Sequence, residues 1–287
     1  MYDTRKRTGI QLCYPFDEKR LEKWGYPVFV QPKLNGERCR AEHNGNSWLL
    51  LSSTEELITS VSHITDALNL SSIPYTTELD GELYRHGLGF EEIHSRVSRT
   101  VNLHPKAWEI QYHVFDLVDE LEEQFYRFRQ LRKLWPGDGK NLQLVTWAVA
   151  NNFEEVITFF ETYVQQGYEG IIVRHPMAPY IRRRSTSMMK FKPKKRDVYQ
   201  VVGKVEEYDK EGRPKGTLGA LVCISDGEIF NVGSGFTQKQ RKELWHQDAA
   251  DKLVVVEYQN TSAGRGVPVF GVFLKLIDQS ERHLYEE

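Results

Sequence analysis

A chain of 287 residues, 40% apolar and 27% charged, can build one large domain or two ordinary ones, and it holds no apolar run near the roughly 20 residues of a membrane span. Its net charge of −2 gives no global attraction to polyanions. The three cysteines, Cys13, Cys39 and Cys223, are odd in number and far apart, which speaks for a reducing compartment and against a four-cysteine zinc site; no apolar signal segment follows the start, "MYDTRKRTGIQLCYPF", so a cytoplasmic protein is expected.

The first predicted element is a hairpin. Asn35-Gly36 stands between the strand-like runs "YPVFVQ" and "CRAEH", and both turn residues tolerate positive φ. Ser53-Thr54-Glu55-Glu56 reads as a capping box, followed by Leu57, Val61, Ile64 and Leu68 at helical spacing. Strand-like runs follow at 76–84 and 109–117. A helix is predicted over 124–135, ended by Pro136-Gly137, and another over 153–167 with Gly167 as its stop. Two more strand-like runs lie at 170–174 and 187–192. Residues 174–196 hold nine Lys/Arg and no Asp/Glu, a local stretch able to bind polyanions on a near-neutral molecule.

Beyond about residue 198 the pattern changes. "YQVVGKVEEY", "LGALVCISDGEIFNVGSGF", "KLVVVEYQN" and "VPVFGVFLKLID" read as successive strands, with one helix capped at Thr237. Such a run suits a small OB-fold β-barrel. The expectation is an α+β chain: antiparallel sheets with flanking helices over residues 1–197, then the barrel over 198–287.

Several chemistry-bearing residues recur near the strand ends. They are Lys33, the carboxylates Glu78, Asp80 and Glu82, Phe115, Glu169, and Lys190 with Lys192, which two-residue spacing puts on one strand face. Each also has an ordinary structural reading: solvated lysines, an Asp-Gly turn, a core phenylalanine, a strand-end glutamate.

Taken in order, however, these segments resemble the nucleotidyltransferase motifs of small, two-domain ATP-dependent DNA ligases of phage or bacterial type. The match runs through Lys33-Leu34-Asn35-Gly36-Glu37-Arg38, Leu79-Asp80-Gly81-Glu82, Phe115-Asp116, Glu169-Gly170-Ile171-Ile172-Val173-Arg174 and Lys190-Phe191-Lys192. "KGTLGALVC" and "VGSGFTQKQRKELW" look like the family's second domain.

The resemblance implies an ATP-grasp-like nucleotidyltransferase domain that joins nicked double-stranded DNA, as a monomer, in replication, repair and recombination. It also implies the cofactors ATP and Mg²⁺, with Mn²⁺ as a substitute. Lys33 would attack the α-phosphate of ATP, which requires an unprotonated amine; Arg38, Lys190, Lys192 and the metal would lower its pKa. Phe115 would stack on adenine, with Gln31 reading its edge, Glu82 binding ribose and Leu34 and Ile171 lining the site. Glu169, with Glu82, would hold the metal. Arg182, Arg183, Arg184, Lys194, Lys195 and Lys275 would meet DNA. Only 32 residues precede Lys33, and a cysteine zinc site is lacking, so ATP is expected over NAD.

The sequence departs from the family pattern in three places. Asn35 replaces an aspartate. Ser52-Ser53 stands where Ser-Arg is usual, with Arg40 or residues 182–184 as substitutes for the missing guanidinium. Leu274 falls where an arginine is expected, beside Lys275 and Asp278. The same domains also serve RNA or mixed-strand ligases and mRNA-capping guanylyltransferases, and an inactive OB-type nucleic-acid binder is the non-enzymatic alternative.

Overall fold

A computed structural model describes residues 9–247, 252–258, 260–262, 265–269 and 271–285. Gln259 and Phe270, inside two of the expected strands, and residues 1–8 lie outside the described residues. The chain forms two units that divide between Lys192 and Pro193. That is earlier than the boundary expected after 197, because Lys195–Tyr208 is one continuous strand of the second unit. No helix among the described residues is long and apolar enough to cross a membrane.

The first unit contains, in chain order, β1 (Leu12–Pro15), α1 (Glu18–Trp24), β2 (Val28–Pro32), β3 (Glu37–His43), β4 (Trp48–Ser52), α2 (Ser62–Asn69), β5 (Leu79–Tyr84) and α3 (Phe90–Val97). β6 (Gln111–Leu117), α4 (Gln124–Leu134), β7 (Leu142–Leu144), β8 (Ala148–Ala150), α5 (Phe153–Gln165), β9 (Ile171–Arg174) and β10 (Arg184–Phe191) complete it. Two five-stranded sheets result, in the orders β1-β10-β9-β2-β8 and β4-β3-β5-β6-β7. Each contains one parallel pair, β1 with β10 and β6 with β7, so the sheets are mixed rather than antiparallel throughout.

The Asn-Gly hairpin does not form. β2 pairs with β8 and β9 in one sheet, and β3 pairs with β4 and β5 in the other. Residues 33–36 therefore cross between sheets. Gly36 is needed for close approach: a Cβ there would collide with the carbonyl oxygen of Leu83. The local turn signal was outweighed by the wider pairing each strand finds elsewhere.

The helix expected from Ser53 also starts later, at Ser62, where Ile64 and Leu68 are buried. Residues 52–56 make a tight turn instead. Glu55 adopts φ 65°, its N–H reaches the Ser52 carbonyl at 3.0 Å, and Ile58 N donates to Leu50 O at 2.8 Å. The chain thus folds back along β4, and the Glu55 carboxylate pairs with Arg40. The helices expected over 124–135 and 153–167 are α4 and α5. Asn152 caps α5, accepting from Glu155 N, and Gly167 ends it at φ 86°.

Strand alternation sorts the side chains of the first sheet onto two faces. Val28, Val30, Ile171, Val173 and Met189 pack with Leu21 of α1 and Val156 of α5. Gln31, Ile172 and Lys190 are cross-strand partners on the opposite face, together with Arg174 and Met188. In the second sheet, Cys39, Ala41, Leu79, Leu83, Tyr112 and Val114 form a core with α2 and α3.

The second unit comprises β11 (Lys195–Tyr208), β12 (Pro214–Ser225), β13 (Glu228–Val232), α6 (Gln238–His246), β14 (Leu253–Tyr258), β15 (Asn260–Thr261), β16 (Pro268–Val269) and β17 (Val272–Ile277). Five strands form an antiparallel sheet ordered β13-β12-β11-β14-β17. Among the described residues the two edges meet at a single parallel bridge, Ser234 with Val272, and no continuous ladder closes the OB-like sheet. Thr237 caps α6 as expected, and the Lys204 ammonium satisfies its terminal carbonyls at Trp245 (2.9 Å) and Gln247 (2.6 Å).

Candidate active site

A cavity of about 280 Å³ opens in the first unit, and residues of both sheets line it. From β2 and the crossover come Gln31, Lys33, Leu34 and Gly36; from β3, Arg38; from β5, Glu82; from β6, Phe115; from β9, Ile172 and Arg174. Two features of the backbone bring them together. Lys33 extends the β2–β9 pairing: its N–H donates to Gly170 O at 2.9 Å, and Glu169 N donates to Lys33 O at 3.1 Å. Gly170 holds φ 140°, and a Cβ there would strike the Phe191 carbonyl. On the other sheet, Gly81 pairs with Val114 but Asp80 with Asp116, so Phe115 is an extra residue in β6. This bulge turns two consecutive side chains, Phe115 and Asp116, towards the polar side of the sheet.

One wall carries lysines. The Lys33 ammonium contacts Glu169 Oε2 and also donates to Leu34 O at 3.3 Å. The other oxygen of Glu169 holds Lys192. Burial, then the charge of Lys33, lowers the Lys192 pKa, with Glu169 opposing. Lys190, opposite Ile172, stands on the same sheet face.

The floor carries arginines. Arg38 grips Asp80 with two nitrogens, at 2.7 and 2.6 Å, and reaches Gln11 O at 3.0 Å. Tyr180 donates to Asp80 at 2.6 Å. Asp116 receives Arg127 at 3.0 and 3.1 Å and Arg174 at 2.9 Å. Arg174 also donates to Gln31 Oε1 at 2.8 Å, while Gln31 Nε2 donates to the Phe115 carbonyl at 3.1 Å. The guanidiniums of Arg38 and Arg174 lie 4.7 and 5.4 Å from the Phe115 ring centre. Glu82 accepts from Gly36 N at 3.2 Å, and burial pushes its carboxyl up to about 7, against the pull of Arg38 and Lys33.

The structure thus gathers Gln31, Lys33, Leu34, Arg38, Glu82 and Phe115 around the cavity, with Glu169 and Lys192 joined to Lys33. It corrects several expectations. Ile171 faces the α1/α5 core and is fully buried; Ile172 takes the cavity side, as alternation from Gln31 requires. Arg38 does not return beside Lys33 across a hairpin but arrives on the other sheet. Gln31 donates to the Phe115 carbonyl and accepts from Arg174, so its amide braces Phe115.

Arg40 cannot replace the guanidinium missing at Ser53. It is 3% exposed and holds Glu42, Glu55 and Glu78. Arg182 is not a free DNA contact either: it forks onto Glu78 at 2.9 and 2.6 Å and reaches Gly9 O at 3.0 Å. Arg184 is exposed but bonds Cys13 O at 2.5 Å, and Lys194 pairs with Glu257 at 2.9 Å. Arg183, Lys195 and Lys275 are exposed, Lys275 lying 5.0 Å from the Tyr285 ring centre.

Among the described residues, no group of three or more His, Cys, Asp or Glu would hold a metal ion. Glu82 and Glu169 therefore build no cage. A lone carboxylate of this kind fits a magnesium-type ion held mainly by nucleotide phosphates and water. Asp116 and Arg174 stand in the quoted motifs but were given no role from the sequence, and Arg127 and Tyr180 were not singled out. The alternation that places Ile172 would also have placed Arg174 beside Gln31; Arg127 and Tyr180 carry no such signal.

Residues 11–192 match the family described as ATP dependent DNA ligase domain, and residues 211–276 match the DNA ligase OB-like domain. A DNA ligase of Haemophilus influenzae is 27% identical over 237 residues, covering 82% of this chain and 81% of that protein. A DNA ligase 2 of Thermofilum pendens is 28% identical over 253 residues, 78% of this chain but 42% of that protein, so the chain spans less than half of this longer relative. Among solved structures, one of a Lig E DNA ligase superposes with a TM-score of 0.75 at 23% identity, covering 94% of this chain and 99% of that one. The chain belongs to the ATP-dependent DNA ligase family.

Proposed function

We propose that this ligase seals 5′-phosphate/3′-hydroxyl nicks in duplex DNA through an adenylate carried on Lys33. The observation that carries the reading is Lys33 at the cavity wall, in contact with the carboxylate that also holds Lys192, and sharing the cavity with Phe115, Glu82 and Arg38.

Phe115 presents an aromatic face to adenine. Glu82 accepts from ribose, and Arg38, fixed by Asp80, donates to the sugar or phosphate. Lys33 Nζ attacks the α-phosphorus of ATP; a P–N bond forms, a P–O bond breaks and pyrophosphate leaves. The amine proton passes to Glu169 Oε2, the acceptor in contact with it. Lys190 and Lys192 neutralise charge that builds on the phosphate. The DNA 5′-phosphate then takes AMP from Lys33, and the 3′-hydroxyl displaces AMP. Glu169 is the residue that would hold a magnesium ion, which would supply further charge neutralisation at the phosphate oxygens. Duplex binding through phosphate contacts weakens steeply with salt; of the expected set, Arg183, Arg184, Lys194, Lys195 and Lys275 are exposed, with Arg184 bonded to Cys13 O and Lys194 to Glu257.

Incubation with ATP labelled at the α-phosphate and Mg²⁺ tests the reading: the label is expected on the peptide containing Lys33, and nicked duplex is expected to be sealed. Label absent from folded protein, or carried by another lysine, would overturn it. Nicks with an RNA strand on either side measure strand preference in the same assay.

A further inference from the structure

Arg40 and Arg182 are engaged within the first unit, which leaves open how that unit holds a duplex. We infer that the exposed loop from Ser98 to Lys106 is a DNA-contacting arm, with Val101 and Leu103 set against the minor-groove wall and Arg99 and Lys106 on the flanking phosphates. This rests on the proposed action on duplex DNA and names a contact surface for it.

The loop is built to present these side chains. Asn102 takes φ 53°, a left-handed conformation that asparagine tolerates, between two apolar residues. Val101 is 76% exposed and Leu103 50%. Both ends are pinned: Ser60 Oγ donates to Val97 O at 2.5 Å, and Arg96, 6% exposed, pairs with Glu109 across the base of the loop. Val101 and Leu103 thus form a small apolar tip on a loop pinned at both ends.

Charge selects the partner. No Asp or Glu occurs between Ser95 and Trp108, whereas Arg99 and Lys106 are exposed. Lys140 adds a cation 4.9 Å from the exposed Trp108 ring, and the two line a small cavity with Arg85 and Glu109, the latter paired with Arg96. Apolar tips flanked by cations are the chemistry of minor-groove contact, where side chains meet sugars and base edges while the cations take phosphates. A second exposed aromatic and basic surface among the described residues of this unit, Phe125, Tyr126 and Arg129 on α4, follows directly on Asp119, Glu120, Glu122 and Glu123, which repel phosphate.

Position also fits. Phe90, the first residue of α3, lines the cavity, and the loop leaves the far end of that eight-residue helix, about 12 Å away. A duplex with its nick at Lys33 extends further than that.

Anisotropy of a labelled nicked duplex with the full chain, read across a salt series, tests the arm without depending on catalysis. Arg99→Ala/Lys106→Ala is expected to lessen the slope of log K against log salt by about 1.8, two phosphate contacts at about 0.9 each. Val101→Ser/Leu103→Ser is expected to weaken binding by about tenfold or more at an unchanged slope. Self-adenylylation with ATP alone is expected to stay at the parent level in both, which also reports that they fold. Parent-like duplex binding by both variants would overturn the arm. Loss of self-adenylylation in the parent would count against the lysyl-adenylate reading and leave the binding comparison intact.

Discussion

The floor and the wall of the cavity are both built from paired charges, yet they differ in kind. The floor uses arginine. Arg38, Arg127 and Arg174 are always charged, and their planar forks fit Asp80 and Asp116 at 2.6–3.1 Å. The wall uses lysine. Lys33 and Lys192 share the single carboxylate of Glu169, and an ammonium can lose its proton and leave its partner. An arginine network forked onto carboxylates holds geometry; a shared carboxylate between two lysines can be rearranged. The comparison assigns rigidity to one and chemistry to the other.

The sharpest break comes from exchanging the two chemistries. Lys33→Arg keeps the charge beside Glu169 but removes the ability to deprotonate. Labelling by ATP is expected to fall by at least about 10³-fold, while the thermal unfolding midpoint stays near that of the parent. A variant that still takes up label would show that the wall's lysine is not the nucleophile.

The opposite signature is expected on the floor. Asp116→Ala leaves Arg127 and Arg174 buried without their carboxylate, a loss of about 3–5 kcal/mol of stability. Urea denaturation measures it. At low temperature, where the variant remains folded, adenylylation is expected to persist. If Asp116→Ala left stability intact and abolished labelling, floor and wall would have exchanged roles.

These contrasts were unevenly legible in the sequence. The wall was readable, because Lys33, Glu169, Lys190 and Lys192 lie in short motifs whose residue types state their chemistry. α4, α5 and α6 were readable from apolar spacing and from stops or caps such as Gly167 and Thr237. The floor's Asp116–Arg174 contact was not, since it is made between β6 of one sheet and β9 of the other, which no local window contains. The crossover at Asn35-Gly36 misled for the same reason: a good turn sequence is compatible with a hairpin but does not require one. Ile171 and Ile172 are chemically identical, and only strand pairing with Gln31 decides which one meets the cavity.

Phe115 joins the two regions, since its carbonyl anchors Gln31 and its ring faces the cavity. Phe115→Ala is expected to raise the KM for ATP by about tenfold to a hundredfold, the scale of one lost base–aromatic stack. Because the carbonyl remains, stability is expected to change less than in Asp116→Ala. Equal KM values for parent and variant in a pyrophosphate-release assay would remove the ring from nucleotide binding.

The smallest expected effect lies at Glu82, which belongs to neither network. Its carboxyl is pushed up to about 7 by burial, from an ordinary value of 4.5. Between those two values the folded chain holds a proton that the unfolded chain releases. Raising the pH through this window therefore weakens the fold, by about 1–3 kcal/mol in all. Glu82→Gln, neutral at every pH, is expected to flatten that part of the stability profile. The same substitution should lower nucleotide affinity most above pH 7, where the parent carboxylate is ionised and accepts from ribose. Urea midpoints of the two proteins at about pH 5 and about pH 8 check the sign. A parent whose advantage over Glu82→Gln grew with pH would place the carboxylate in a charge-stabilised setting, more like Asp116 than like a group held neutral by burial.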